Sequence, residues 1–354
     1  MGRLFPVLSQ KCSVSERYSS VPGQAAVRRK QRSRATSETE ETVTHVITSA
    51  MGSRFVSGVV RRVNGKPLRV LAYHDIVDAN RFEKHLAHVR ERYRPVCGSD
   101  VAEAARTGAS LPQLAVWITF DDAHPGVIEG GLPLLERFGV PATLFVCPGM
   151  VDTTTPYWWQ VLDTALSLGR PVEFEGEVWR DRRIVTRLKQ EPDVVRRQMV
   201  AHVAEQLGEE LGAPLKRRQI TNAELERWVG DGRDLGNHTW DHPCLNTCPV
   251  GEQRRQIEQA HEALSMWAPS RHLLFAYPNG NATEASESVL HCLGYDVHAL
   301  FDHKLCRSPG SRMSRLRIDA DASPQRMRAI LSGSHSAVYG TVRRARKVPL
   351  MGRK

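Results

Sequence analysis

No apolar stretch in these 354 residues approaches the ~20 that a membrane-spanning helix needs. The N-terminus lacks the apolar core of a secretory signal peptide, so the chain is expected in the cytoplasm. Cysteine is sparse: seven residues, an odd number, scattered from Cys12 to Cys306. That distribution excludes a small disulfide-stapled scaffold and reads as mostly reduced thiols. Acidic side chains are also short, 39 against 49 basic ones, for a formal charge of +10. The excess suits acidic polymers, nucleic acid or an anionic membrane surface without choosing among them. Peripheral membrane contact is compatible with it, and no nucleic-acid partner is expected. What is present is 41% hydrophobic residues, enough for a proper core in one large barrel or two medium domains.

Residues 1 to about 65 are rich in Ser, Arg and Lys, with a basic cluster from Arg28 to Arg34 and acids from Glu38 to Glu41. No apolar period persists there, so the segment is expected to be disordered, with Met51 as an alternative start. Order begins at Leu68–Tyr73, an apolar run ending in His74-Asp75. Asn80–Tyr93 has helical spacing of Phe82, Leu86 and Val89, and Asp100 is placed as N-cap of a short helix to Thr107. Leu114–Ile118 and Pro141–Val146 read as buried strands, with a helix closed by Gly139 between them. Residues from about 153 to 214 form a helical insertion. The Thr221–Glu224 capping box starts a helix, and Glu252–Trp267 and Glu284–Leu293 are further helices. Strands at Leu273–Ala276 and Tyr295–Phe301 and a last helix at Gln325–Leu331 complete the alternation. Strand–helix alternation argues a parallel α/β architecture, most simply a barrel over residues 66–340. The basic tail 341–354 is expected to fray.

The chain is organised around Trp117-Ile118-Thr119-Phe120-Asp121-Asp122, an apolar strand that stops at two adjacent carboxylates. In parallel α/β sheets such strand ends carry the chemistry. Neighbouring carboxylates repel unless a cation lies beside them, and a divalent metal would use one as ligand and leave the other as a base. The second signal is His238-Thr239-Trp240-Asp241-His242. Pro243 disfavours a helical His242, so the pair is placed on a turn after a strand. With Asp122 it makes two imidazoles and one carboxylate, a facial triad open to water and substrate. A closed site of His238, His242, Cys244 and Cys248 is the competing assignment, but its spacing fits no usual finger pattern, and buried inert thiols suit the cysteines better.

Thr119–Asp122, His238–His242 and Tyr277-Pro278-Asn279-Gly280, in this order and spacing, resemble the first three motifs of the polysaccharide deacetylases (carbohydrate esterase family 4). The resemblance runs from about residue 68 to 335. It implies a distorted (β/α)7 barrel, a divalent metal and hydrolytic removal of acetyl groups from sugars. By that resemblance Asp121 is the base, and Asp122, His238 and His242 hold the metal, with Zn²⁺ first and Co²⁺ or Ni²⁺ as alternatives. Two positions depart from the pattern. Ala276 stands where the family usually has an arginine, and Arg317 is the candidate replacement. The family's C-terminal acid histidine lacks a match beyond His335, whose loop looks exposed. Tyr73-His74-Asp75 is instead similar to the first strand of the permuted poly-N-acetylglucosamine deacetylase branch, which makes His74 the general acid.

The expected activity is N-deacetylation of an acetylated amino sugar, oligosaccharide or glycoconjugate precursor. Asp121 would deprotonate water, a backbone N–H near Asn279 would help hold the oxyanion, and His74 would protonate the leaving amine. Tyr277, Pro278, Trp158, Trp159 and Arg317 are the substrate-contact candidates, the tryptophans by stacking on sugar rings. The competing readings are a related C–N hydrolase on a small non-sugar amide and a degenerate, non-catalytic carbohydrate-binding protein.

Overall fold

Apolar runs that break off at polar residues become strands whose ends share one side of the molecule, because the strands of the main sheet pair in parallel. The computed structural model describes residues 52–208, 218–268 and 272–337. In chain order the elements are α1 (Arg54–Val63), β1 (Arg69–Tyr73), α2 (Ala79–Arg92), β2 (Arg94–Pro95), α3 (Gly98–Thr107), β3 (Ala115–Phe120), α4 (Leu132–Phe138) and β4 (Ala142–Val146). An excursion follows: α5 (Trp158–Ser167), β5 (Val172–Phe174), β6 (Glu177–Trp179), α6 (Arg183–Leu188) and α7 (Asp193–Leu207). The chain returns through α8 (Asn222–Gly230), β7 (Asp234–Asn237), α9 (Val250–Trp267), β8 (Leu274–Ala276), α10 (Glu284–Cys292), β9 (Val297–Ala299), β10 (Arg312–Met313), β11 (Leu316–Arg317) and α11 (Pro324–Ser332).

The main sheet runs β10-β9-β8-β7-β4-β3-β1-β11, with β2 also on β3, and all its pairings are parallel. Its two end strands, β10 and β11, are separated in sequence only by Ser314 and Arg315. So short a link spans at most roughly 11 Å, and the sheet must curl until its ends approach. The result is the curled parallel sheet of a distorted (β/α)7-type barrel.

Strand side chains alternate between two cores. Val70, Ala115, Trp117, Phe145, Leu274, Ala276, Val297, Ala299 and Met313 pack together as one cluster inside the curl. Leu71, Val116, Ile118, Leu144 and Leu316 pack outward against helices through Phe82, Leu86, Leu132, Leu135, Trp228 and Ile330. The excursion has its own apolar cluster, including Leu162, Ile184, Leu188, Val203 and Leu207. It contains an antiparallel β5–β6 hairpin as well as helices. Its expected end near residue 214 lies outside the described residues.

Two local expectations need correction. Residues 54–63 are not disordered: α1 is a helix whose opening Ser53 side chain accepts from Val56 N–H. Residues 1–51 and 341–354 lie outside the described residues. Asp100 is not the N-cap of α3. The helix starts two residues earlier behind Cys97, and the Asp100 carboxylate accepts from the Cys97 N–H at 3.2 Å. An acid at the third helical position reaches back to the N-cap N–H, the reciprocal half of a capping box.

Gly236 in β7 sits where the barrel interior leaves no room for a side chain. A Cβ there would lie 2.4 Å from the Phe145 ring and 3.1 Å from the Leu274 carbonyl. Gly236→Ala should therefore lower stability by about 1–3 kcal/mol, as overpacking of a filled core does. The urea unfolding midpoint checks this, and an unchanged midpoint would mean the interior yields.

Candidate active site and metal centre

The alternation that buries Trp117 inside the curl carries Thr119 and Asp121 to the same side at the end of β3, and in β1 it takes Val70 and Ala72 on to His74. The chain then turns sharply. Asp122 and Ala123 both take left-handed backbone, with φ of 66° and 51°. Thr239 and His242 (φ 70° and 62°) and Asn279 (φ 57°) do the same in the two other motif turns. Such conformations cost on the order of 1 kcal/mol or more for non-glycine residues, so the surroundings must hold them. Tyr157, from the excursion, donates its hydroxyl to the Asp122 carbonyl at 2.8 Å. Gln256 of α9 accepts from the N–H groups of Trp240 and Asp241 at 3.0 and 3.1 Å. Asn237 accepts from Thr239 N–H at 2.7 Å.

Asp122, His238 and His242 are all buried, and one ligand atom of each lies within 4.8 Å of the others. The Nε2 atoms of His238 and His242 are 3.4 and 3.3 Å from Asp122 Oδ1. His238 Nδ1 is 2.7 Å from the Ala276 carbonyl and must donate to it, which leaves the Nε2 lone pair aimed at the carboxylate. Asp122 Oδ1 is buried without a hydrogen-bond partner. Burial acts against the charged carboxylate, but the imidazoles of His242, His238 and His74 outweigh it and hold Asp122 well below the usual range. Burial pushes His242 down to about 3 despite Asp122, so that imidazole stays neutral. Acceptors converging on one point without a donor between them fit a divalent cation. Cys244 and Cys248 are not part of this group, and Cys248 Sγ faces the Cys244 carbonyl instead.

Asp121 is held differently. Arg315 grips it with two hydrogen bonds, Nη1 to Oδ1 at 2.7 Å and Nη2 to Oδ2 at 2.9 Å. The guanidinium has no exposed surface, donates Nε–H to the Leu300 carbonyl at 2.7 Å, and lies 5.5 and 5.7 Å from the Phe145 and Phe301 ring centroids. Burial alone would raise the Asp121 carboxyl; Arg315 and His238 overcome it and leave it below the ordinary carboxylate value. His74 stands edge-on to Phe301, 5.9 Å between ring centroids. Burial lowers its pKa, and Asp122 and Asp121 partly restore it.

Arg317 is a correction: it is half exposed and faces Asp319 at 3.3 Å, while Arg315, two residues earlier, holds Asp121. Both are basic residues beside Leu316, and only the seam between β10 and β11 decides which one turns inward. Tyr277 and Pro278 are also corrected. Tyr277 has no exposed surface and packs edge-on to Phe275 at 5.0 Å, and Pro278 is buried with it. They seat the third turn rather than meet a substrate. Asn279 is partly exposed there, its amide 3.5 Å from Cys244 Sγ. His335 is not in an exposed loop: it is half buried, 6.2 Å from the His303 ring, and burial pushes it down to about 4.

Trp159 stacks on Tyr157 at 4.6 Å and meets His242 edge-on at 4.5 Å. Trp158 lies over Arg196 at 5.3 Å. It lines a cavity of about 440 Å³ with Tyr157, Val161, Val200 and His242. Sequence reasoning missed Arg315, Tyr157 and His124, whose Nε2 is 3.9 Å from Asp122 Oδ2. His124 had a usable signal, two residues past the carboxylate pair; Tyr157 had none before the excursion was seen to fold over the mouth.

Residues 109–298 match the family described as polysaccharide deacetylase. Among curated proteins, the poly-beta-1,6-N-acetyl-D-glucosamine N-deacetylase of Escherichia coli (strain K12) is 25% identical over 224 residues, 62% of this chain. The chain spans only 30% of that relative's length. Among solved structures, IcaB from Ammonifex degensii is similar with a TM-score of 0.51 at 18% identity, covering 76% of this chain and 98% of that one. A de-N-acetylase from Aggregatibacter actinomycetemcomitans gives 0.52 at 14% identity, covering 74% and 99%. These structures share the fold.

Because Arg315 keeps Asp121 ionised, its removal has a signed consequence. In Arg315→Ala the Asp121 pKa should rise, so the acid limb of the pH–rate profile should move to higher pH. If Asp121 is the base, turnover should fall ~10²-fold or more because nothing then holds its charge and direction. Arg315→Lys keeps the charge but not the two-point grip, and should restore the pH limb better than the rate. An unmoved acid limb in Arg315→Ala would show that Asp121 is not the base.

Proposed function

This chain belongs to the polysaccharide deacetylase family, and we propose that it is a metal-dependent hydrolase removing N-acetyl groups from an acetylated amino sugar, carried on an oligosaccharide or glycoconjugate precursor. One observation carries the reading: a buried acceptor triad, Asp122, His238 and His242, lies beside a second carboxylate, Asp121, that a guanidinium keeps ionised. The sugar is supported by the matched Escherichia coli relative, named for a poly-N-acetylglucosamine substrate.

A divalent ion held by Asp122, His238 and His242, Zn²⁺ first and Co²⁺ or Ni²⁺ next, supplies Lewis acidity to an amide carbonyl and acidifies water. The rest falls to the chain. Asp121 accepts the proton of the attacking water, and Arg315 keeps it ionised and fixed in direction. His74 gives a proton to the amine nitrogen as the C–N bond breaks, leaving acetate and a free amino sugar. Burial disfavours the His74 imidazolium, and the neighbouring Asp122 and Asp121 carboxylates partly restore it. Trp158 and Trp159 offer aromatic faces to a sugar ring. A reducing compartment, the cytoplasm, suits the chain, since the six described cysteines are free thiols.

Acetate release from an N-acetylglucosamine oligomer, measured against hydrolysis of a small formamide or cyclic imide, tests the substrate class. Release from the oligomer alone is expected; turnover of only the small amides would replace the sugar reading. Elemental analysis should find one divalent ion per chain, lost in His238→Ala and kept in Cys244→Ala. Equal loss in both would refute the ligand set.

The roles of the two outlying histidines separate by leaving group. His74→Ala should slow acetamide hydrolysis ~10²–10⁴-fold yet spare much of the activity on an activated aryl acetate, whose leaving group needs no proton. His335→Ala should change neither rate. The reverse pattern would move the general acid to the C-terminal end of the chain.

A further inference from the structure

The excursion that walls the mouth also brings a cation that no carboxylate answers. Ile184, Val185 and Leu188 are buried in its own apolar core and seat α6. The helix closes at Lys189, whose N–H donates to the Val185 carbonyl at 3.1 Å. On the far side α7 is tied to the loop after His242, because Arg196 Nη1 donates to Thr247 Oγ1 at 3.2 Å. The backbone beneath Lys189 is thus fixed from both ends. Its side chain is partly buried, and Cys244, Asp122, His242 and Arg317 lie within electrostatic reach of its ammonium. These neighbours locate the charge. Cys244 Sγ is 3.5 Å from the Asn279 amide, Asp122 and His242 belong to the acceptor triad, and Arg317 also acts on His74. Lys189 therefore stands over the catalytic mouth.

The arginines of these two helices all have carboxylate partners. Arg183 pairs with Asp181 at 2.8 Å, Arg187 with Glu175 at 2.7 Å, Arg196 with Asp193, and Arg197 with Asp241 at 3.0 Å. Among the described residues, no hydrogen bond or ion pair does the same for the Lys189 ammonium. Cys244 is a buried thiol whose pKa burial raises, so it offers no counter-charge. Asp122 turns Oδ1 to His238 and His242 and Oδ2 to His124, and Asp121 is already neutralised by Arg315. Burial, helped by Arg182 and Arg317, lowers the Lys189 pKa against the pull of Asp122, the direction expected of a cation short of negative neighbours. A partly desolvated cation without an anion is costly, and a ligand that brings the missing charge makes a charge-assisted hydrogen bond there.

We propose that Lys189 receives a phosphoryl group on the sugar whose acetamide is cleaved. This rests on the deacetylase reading of the same site and narrows its substrate to an N-acetylated sugar carrying a phosphate ester or diphosphate. A compact ammonium with rotatable donors suits tetrahedral phosphoryl oxygens, whereas a planar carboxylate is matched better by a guanidinium fork. The arginines of α6 and α7 are already engaged. A neutral N-acetylglucosamine polymer brings no charge to this lysine. Sugars linked through diphosphate to a nucleoside or to a lipid carrier share the chemistry.

Calorimetric binding to the full chain tests this without needing turnover. N-Acetylglucosamine 1-phosphate should bind about tenfold more tightly than the methyl glycoside of N-acetylglucosamine. Lys189→Gln should remove most of that ratio at an unchanged melting temperature, and Lys189→Arg, which keeps the charge, should retain part of it. A ratio that survives Lys189→Gln would place the phosphate elsewhere and overturn the proposal. N-Acetylmuramic acid, whose charge is a carboxylate, should gain less; a Lys189-dependent gain equal to that of the phosphate would overturn the phosphoryl assignment. Between UDP-N-acetylglucosamine and a farnesyl diphosphate-linked N-acetylglucosamine, the larger Lys189-dependent affinity names the carrier. Acetate release from the same compounds keeps the two readings apart. Hydrolysis of the neutral glycoside without any phosphate preference in binding would refute the lysine's role alone. A Lys189-dependent preference in binding, with acetate released from neither compound, would support the phosphoryl site and refute the deacetylase reading.

Discussion

A guanidinium without exposed surface sits where the curled sheet nearly meets itself, and the site depends on it. Arg315 occupies the two-residue link between β10 and β11, the strands at opposite ends of the sheet order. Its two hydrogen bonds to Asp121 reach across to β3, and its Nε–H ties back to the turn after β9. A buried charge stranded without its partner costs about 3–5 kcal/mol, so each member of the pair requires the other. The same pair therefore ties the seam between β10 and β11 to the end of β3 and holds the carboxylate at the mouth below its ordinary pKa.

The metal triad rests on a different constraint. Asp122 and His242 are on turns in left-handed backbone, where aspartate, histidine and asparagine are tolerated better than most side chains. Those turns stay in place because separate elements supply their hydrogen bonds: Gln256 from α9, Asn237 from β7 and Tyr157 from the excursion. The excursion is thus more than an addition to the barrel. Tyr157 and Trp159 form the wall against which His242 rests, and the cavity beside His242 exists only because α5 and α7 enclose it.

The two ends of the barrel differ in chemistry. The mouth gathers carboxylates and imidazoles, which suits a cation and a polar substrate. Away from it, a cavity between α1, α2 and α11 is lined by Arg61, Arg92 and Arg328, and α1 displays exposed Phe55 and Val63.

Much of this was legible in the linear chain. Apolar runs ending at Asp121-Asp122 and Tyr277 located strand ends, and strand–helix alternation gave a parallel α/β barrel, because both signals are local and periodic. Pro243 placed the histidine pair on a turn for an equally local steric reason. Side-chain direction beyond the strand ends was not legible. Arg315 and Arg317 are chemically alike and flank the same leucine, and only closure of the sheet turns the first inward and leaves the second in solvent. Tyr277 and Pro278 belong to a recognisable motif, yet packing against Phe275 removes them from the surface. Helix α1 lay in a segment without an apolar period long enough to notice, and its order comes from contacts with α11 about 270 residues later. The sequence by itself determined the strands, the turns and the ligand types; tertiary structure decided which arginine, which aromatic wall and which helix face came into play, because those depend on contacts between residues far apart in the chain.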